Sequence, residues 1–273
     1  MFFFALFLSA LTFATDFDPK NMAPYIREKA VTLDWSLIGK SPEKVIYIGE
    51  DHFSIALKSE LAQHFQQLKA SGVTHLGIEV LDDVVQAILN DFMRDGSRRE
   101  ELRSQIHDHG WGKEGYMMVF EAARLVGLKM VSLNLPFDPH YTVEENVAYR
   151  CSDKRKSTHP CTNKQLNCVM WDCWMASIIN QELTDDSAAK FVVLIGNVHV
   201  QKRMQPKYLD EYGIASRSYM FNYPGKTNDP FQASFNKAVQ EAGHGKNKVL
   251  IPLPAAQVNV DGIIYVPDVF DGK

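Results

Sequence analysis

Short runs of β-branched and aromatic residues alternate along this chain with longer segments in which apolar residues recur at helical spacing. The strand-like runs are Lys44–Ile48, Thr74–Leu81, Leu128–Leu133, Phe191–Ile195 and Ile214–Phe221. The helix-like segments include Ser54–Ala70, Tyr116–Val126, Lys164–Leu183 and Val200–Leu209. Strands that alternate with helices predict βαβ units. The pattern therefore predicts an α/β fold with a central, largely parallel sheet flanked by helices.

Composition is that of an ordinary globular protein, with 273 residues of which 45% are hydrophobic and 23% are charged. This length predicts one α/β domain, here residues 15–273. The net charge is -4 and the isoelectric point is about 6.1. Since no basic stripe lies along any predicted helix, we expect no nucleic-acid partner. After the N-terminal segment, no stretch has transmembrane length.

Residues 1–14 are apolar apart from Ser9 and Thr12. This segment resembles the apolar region of a signal peptide, although no Lys or Arg precedes it. A buried first strand or an uncleaved anchor is the alternative. We therefore expect a periplasmic or secreted protein whose mature part begins near residue 15.

All four cysteines lie between positions 151 and 173, namely Cys151, Cys161, Cys168 and Cys173. An even number of clustered cysteines behind a signal peptide predicts disulfide bonds, with three pairings open. A zinc site is the alternative, although no C-x-x-C pair is present. The polar, irregular region at about 136–164 is therefore expected to be a loop insertion held by disulfide bonds to the following helix.

Polar side chains follow three of the predicted strands. Gly49-Glu50-Asp51-His52 and Gly196-Asn197-Val198-His199 each place a histidine three residues after a glycine, and Glu79 closes its own strand. Glycine permits a sharp turn out of a sheet. Because open α/β sheets bind ligands at the carboxyl ends of their strands, we expect these side chains to form one site.

Two Gly-x-x-His motifs with a strand-end Glu between them resemble the superfamily of ChaN-type haem-binding lipoproteins, erythromycin esterases and TIKI/TraB proteins. The ChaN branch is the most similar, through Ile48-Gly49-Glu50-Asp51-His52 and Glu121-Ala122-Ala123-Arg124, followed by Asn134-Leu135-Pro136 and Met175-Ala176. The resemblance covers roughly residues 44–205. ChaN and esterase relatives usually carry an Arg a few residues before the Met-Ala pair, where this chain has Trp171. Such an Arg could clamp an oxyanion or a carboxylate, so its absence counts against full esterase chemistry.

The resemblance to ChaN implies that the protein binds haem or another iron ligand, which is our first expectation. Haem needs an apolar slot and an axial ligand such as His or Tyr. His52, His199 and Tyr116 are the candidate cofactor-binding residues. The candidate slot residues are Phe53, Trp111, Met117, Met118, Phe137 and Tyr141. Each of them could equally be a core residue.

The resemblance to esterases and TIKI proteins implies hydrolysis of an ester or peptide as the alternative. His52 would be the general base, oriented by Glu50 or Glu79, with His199 as a further catalytic residue. In a metal-dependent variant, His52, Glu79 and His199 would bind Mn, Zn or Co and activate water. The sequence leaves these uses of one site open.

Overall fold

A computed structural model describes most of the chain. The described residues are 19–52, 54–106, 112–135, 161–163, 168–222, 230–254 and 259–267. The predicted signal peptide and most of the predicted insertion lie outside these ranges. Among the residues described, no helix is both long enough and apolar enough to cross a bilayer.

The predicted sheet is present, and the described residues form eight of its strands, in the order β1-β9-β10-β8-β2-β7-β3-β4. Its strands are β1 (Val31–Thr32), β2 (Val45–Glu50), β3 (His75–Asp82), β4 (Lys129–Asn134), β7 (Phe191–Gly196), β8 (Ser216–Asn222), β9 (Val249–Pro252) and β10 (Gly262–Tyr265). The neighbours from β10 to β4 run parallel, and only the pairings that involve β9 are antiparallel. A separate small ribbon pairs β5 (Thr162–Asn163) with β6 (Cys168–Val169).

Helices cover both faces of this sheet. They are α1 (Pro19–Lys29), α2 (Trp35–Gly39), α3 (Ile55–Ala70), α4 (Gln86–Asp95), α5 (Arg99–Gln105), α6 (Lys113–Val126), α7 (Trp171–Asp185), α8 (Gln205–Glu211) and α9 (Pro230–Glu241), with a 3-10 turn at Asp83–Val85 before α4. One large apolar cluster contains Ile48 of β2 with residues of α3 and α6, and a second large one contains Tyr47 with residues of α7. Successive residues of a strand point to opposite faces, so β2 contributes to both layers.

Most predicted elements are confirmed within a few residues, and α3 begins after the predicted Ser54 cap, whose side chain accepts from the Leu57 N–H. Two predicted helix starts are wrong. The helix predicted from Lys164 begins at Trp171, because Cys168–Val169 pairs as a strand. The helix predicted from Val200 begins at Gln205, where Pro206 occupies the first turn.

The cysteine prediction is confirmed in part, because a disulfide joins Cys161 to Cys173. It connects the small ribbon to the first turn of α7. Oxidation of these two sulfurs rules out a zinc site made of all four cysteines. Cys151 lies outside the described residues.

Candidate functional site

The carboxyl ends of β2, β7 and β3 bring the predicted site residues together. These strands are neighbours in the sheet, with Glu50 opposite Gly196 in the parallel register. His52 Nε2 lies 3.9 Å from Glu79 Oε2, and His199 Nε2 lies 3.3 Å from Glu79 Oε1. The sequence prediction that His52, Glu79 and His199 lie close together therefore agrees with the geometry.

A buried carboxylate and a phenol hold His52 by its other ring nitrogen. His52 Nδ1 is 3.2 Å from Glu50 Oε1 and 2.9 Å from the Tyr116 hydroxyl oxygen. Tyr116 also donates its hydroxyl proton to Glu50 Oε1. The Glu50 side chain is only 1% exposed, whereas that of His52 is 20% exposed. The network thus holds Nδ1 of His52 inside the protein, so that Nε2 of the same ring faces Glu79.

His199 is held in the same manner from the opposite layer. Its Nδ1 lies 2.7 Å from Asp172 Oδ1, and Asp172 lies in the first turn of α7. This short distance is that of a charge-assisted hydrogen bond in which the imidazole donates. Each histidine therefore has a carboxylate at Nδ1, and both direct Nε2 towards Glu79.

The glycines of the two motifs provide space rather than turns. Gly49 and Gly196 both lie within strands, and neither has a positive φ. A Cβ at Gly196 would lie 2.9 Å from His52 Nε2, and one at Gly49 would lie 2.5 Å from Asn197 Oδ1. The Gly196 N–H also donates to Glu79 Oε2 at 2.6 Å. The prediction that these glycines form turns is wrong. The site requires glycine because a side chain at either position would occupy the space of a neighbouring site residue.

Negative charge from the carboxylates favours protonated histidines. Burial alone lowers the pKa of His199, but the charge of Glu79 and the Asp172 hydrogen bond outweigh it and raise this pKa to about 9. Burial likewise lowers the pKa of His52, while Glu50 and Glu79 raise it to a net value above the usual one. At neutral pH the His199 ring is consequently a cation.

The first carboxylate, Glu50, stays ionised despite its burial. Burial raises the pKa of Glu50, but the Lys58 ammonium and the His52 contacts bring it below the ordinary value. Burial and the neighbouring Glu50 charge raise the pKa of the Tyr116 hydroxyl, which therefore stays protonated. Glu50 is an acceptor and Tyr116 a donor throughout the physiological range.

Sequence reasoning missed two residues of this arrangement, Lys58 and Asp172. Lys58 occurs at the spacing of Leu61 and Phe65, on the apolar face of α3. Asp172 is an acid among apolar residues in the first turn of α7. A charged residue at an apolar position costs free energy unless it is paired, so each was a detectable signal.

The predicted cofactor ligands differ in how well they fit haem. His52 and His199 have side chains about one-fifth exposed, at 20% and 21%, so either could reach a haem iron. Tyr116 is 1% exposed and donates to Glu50, which does not fit an axial ligand. Met117 is buried in the core, whereas Met118 is exposed. Four predicted slot residues, Phe53, Trp111, Phe137 and Tyr141, lie outside the described residues.

For a metal, the described part of the chain contains no group of three or more His, Cys, Asp or Glu side chains with the arrangement of a metal site. His52, Glu79 and His199 converge, but the carboxylate lies between the two rings.

Comparisons with known proteins agree with the sequence motifs. Residues 40–167 match the family model described as haem-binding uptake, Tiki superfamily, ChaN. This range includes Glu50, His52, Glu79 and Tyr116, while Asp172 and His199 lie beyond it. No curated protein matches the chain.

Solved structures are similar to this chain at low sequence identity. An erythromycin esterase mutant in its open conformation superposes with a TM-score of 0.54 at 12% identity, covering 84% of this chain and 92% of that one. The C-terminal region of Pasteurella multocida toxin gives 0.50 at 13% identity, covering 98% of this chain and 33% of that one. ChaN of Campylobacter jejuni gives 0.45 at 17% identity, covering 68% and 84%. The family match confirms, at the level of the superfamily, that the chain is similar to the ChaN-type proteins of the Tiki superfamily.

Proposed function

We propose that the protein hydrolyses an ester or amide bond with His52 and His199 as its acid–base pair. One observation carries this proposal. Each imidazole is fixed at Nδ1 by a carboxylate, and both Nε2 atoms converge on Glu79. Carboxylate-oriented imidazoles at a partly exposed position form the arrangement that general acid–base catalysis requires.

The two histidines have different tasks because their environments differ. His52, in its neutral form, accepts a proton from water at Nε2 while the water oxygen attacks the carbonyl carbon of the substrate. His199, protonated below about pH 9, donates its Nε2 proton to the leaving oxygen or nitrogen. Glu50 orients His52, Asp172 orients His199, and Glu79 balances the positive charge between the two rings.

Hydrolysis of p-nitrophenyl esters and peptidyl p-nitroanilides tests this proposal. We expect the purified protein to turn over a member of one panel, with activity that persists in the presence of EDTA. His52→Gln should reduce turnover by about 100- to 10,000-fold, the usual contribution of a general base. His64→Gln is the matched control. His64 lies in α3, the helix of Lys58, and its Nδ1 hydrogen-bonds to the Glu60 carbonyl oxygen rather than to a residue of the site. Equal activity in both variants would refute the proposal.

Haem binding is the second candidate, favoured by the family match over residues 40–167. His52 or His199 would supply the iron ligand, since both rings are partly exposed. When bound, haem would supply redox or ligand-binding chemistry at the iron. A haem titration tests this use: a stoichiometric Soret shift in the wild type that is lost in His52→Ala/His199→Ala supports binding, and no shift argues against it. Metal analysis of the same samples tests the Mn, Zn and Co alternative.

A further inference from the structure

Lys58 is a fully buried lysine directly behind the proposed general base. It lies in the first turn of α3, and its side chain is 0% exposed. Lysine is almost never fully buried unless its charge is paired. The lysine must therefore have partners that replace the water it has lost.

Three oxygen atoms surround the Lys58 ammonium, two as hydrogen-bond acceptors and one as the partner of an ion pair. Nζ lies 2.8 Å from Glu50 Oε2, 2.9 Å from the His52 carbonyl oxygen and 3.2 Å from the Ser54 carbonyl oxygen. It also lies 4.2 Å from the centre of the Tyr116 ring, as in a cation–π contact. Lys58 thus contacts the backbone of His52 and both groups that hold the His52 ring.

We propose that Lys58 is a positioning residue for the hydrolysis proposed above, and that it fixes His52 through Glu50 and through the His52 carbonyl. The two oxygens of Glu50 have different contacts: Oε1 hydrogen-bonds to His52 and Tyr116, and Oε2 forms an ion pair with Lys58. Without the lysine, Oε2 loses its ion pair, and the carboxylate is held only through Oε1 by Tyr116 and His52. The His52 carbonyl oxygen would also lose its hydrogen bond from Lys58.

Burial of an ion pair is a weak source of stability, because desolvation offsets the attraction between the charges. The packing of α6 against α3 nevertheless leaves space for the Lys58 side chain. A Cβ at Gly115 would lie 2.8 Å from Lys58 Cδ, so the glycine at the start of α6 leaves space for the lysine stem. Gly115→Ala should therefore displace Lys58 while every charge is kept.

The test is the NMR signal of the His52 Nδ1–H proton in the full-length protein, assigned by its loss in His52→Gln. We expect Lys58→Met to broaden or remove this signal, because the ring becomes mobile and its proton exchanges with water. Lys248→Met is the matched control, since Lys248 Nζ pairs at 2.8 Å with a different buried carboxylate, that of Glu60 in α3. The control should keep the signal.

Circular dichroism establishes first whether Lys58→Met is folded. If it is not, Gly115→Ala takes its place and should give the same broadening. A folded variant with an unchanged His52 signal would overturn the proposal. Where turnover is measurable, it should fall by up to about 100-fold with little change in KM, the cost of a misplaced catalytic group. If the wild type shows no turnover, the hydrolysis proposal fails but the Lys58 proposal does not. The NMR signal reports the position of the His52 ring without a substrate.

Discussion

Asp172 Oδ1 lies 2.7 Å from His199 Nδ1, across the space between the first turn of α7 and the loop after β7. This contact joins two segments that are far apart in the sequence. It makes the orientation and charge of the second histidine depend on the placement of α7.

Asp172→Asn should lower the pKa of His199 from about 9 towards its ordinary value of 6.5. The amide can still accept the Nδ1–H bond, but only the charge of Glu79 then remains to favour the imidazolium. An NMR titration of the histidine rings measures this change. Asp185→Asn, the same substitution at an exposed position of α7, should leave the titration unaltered. A His199 pKa that stays near 9 in Asp172→Asn would show that this carboxylate is not the cause.

The hydrolysis rate should depend on pH as a bell-shaped curve. The base form of His52 is needed, so the rate rises as pH passes the His52 pKa, which lies above 6.5. The acid form of His199 is also needed, so the rate falls as pH passes about 9. In Asp172→Asn the falling limb should move to lower pH. A rate that keeps increasing above pH 10, in a protein that remains folded, would contradict the role of His199 as the acid.

Tyr116→Phe should destabilise the protein by about 2 kcal/mol, because it removes a donor to the buried carboxylate of Glu50. Any haem that binds should keep its Soret position, since the Tyr116 hydroxyl faces Glu50 rather than an iron ligand site. Tyr47→Phe is the matched control. The Tyr47 hydroxyl is buried and has no hydrogen-bond partner among the described residues, so its removal should be neutral or stabilising. Urea unfolding of both variants provides the comparison, and an equal response of the two would contradict this interpretation.

Loss of the Cys161–Cys173 disulfide should cost about 3 kcal/mol of unfolding free energy, the chain-entropy value for a short loop. Because Cys173 follows Asp172 directly, the Asp172–His199 hydrogen bond should also loosen. Cys161→Ser/Cys173→Ser can be compared with the wild type by urea unfolding and by the NMR signal of His199 Nδ1–H. If stability falls and the His199 signal is unchanged, the disulfide supports the fold without positioning the site.

The order of strands and helices could be predicted from the sequence because the apolar periodicity of each element is local. The convergence of His52, Glu79 and His199 also followed, since parallel strands place their carboxyl ends at one edge. The start of α7 could not be predicted, because the pairing of Thr162 with Val169 and the disulfide that fix it are tertiary contacts.

Lys58 and Asp172 illustrate a different limit. Their positions in the sequence indicate that each charge is paired, but they do not identify the partner. Their partners, Glu50 and His199, belong to other elements, namely the end of β2 and the loop after β7. Only the packing of α3 and α7 on opposite faces of the sheet reveals that each charge has a partner at the site.

The most direct test of the central claim is the EDTA-resistant hydrolysis of p-nitrophenyl esters and peptidyl p-nitroanilides by wild type, His52→Gln and His64→Gln, measured beside a haem titration. The acid–base account predicts turnover that survives the chelator, falls by about 100-fold or more in His52→Gln and persists in His64→Gln. Turnover that is absent or indifferent to His52, together with stoichiometric haem and a Soret band lost in His52→Ala/His199→Ala, would contradict it and establish the site as a haem-binding one.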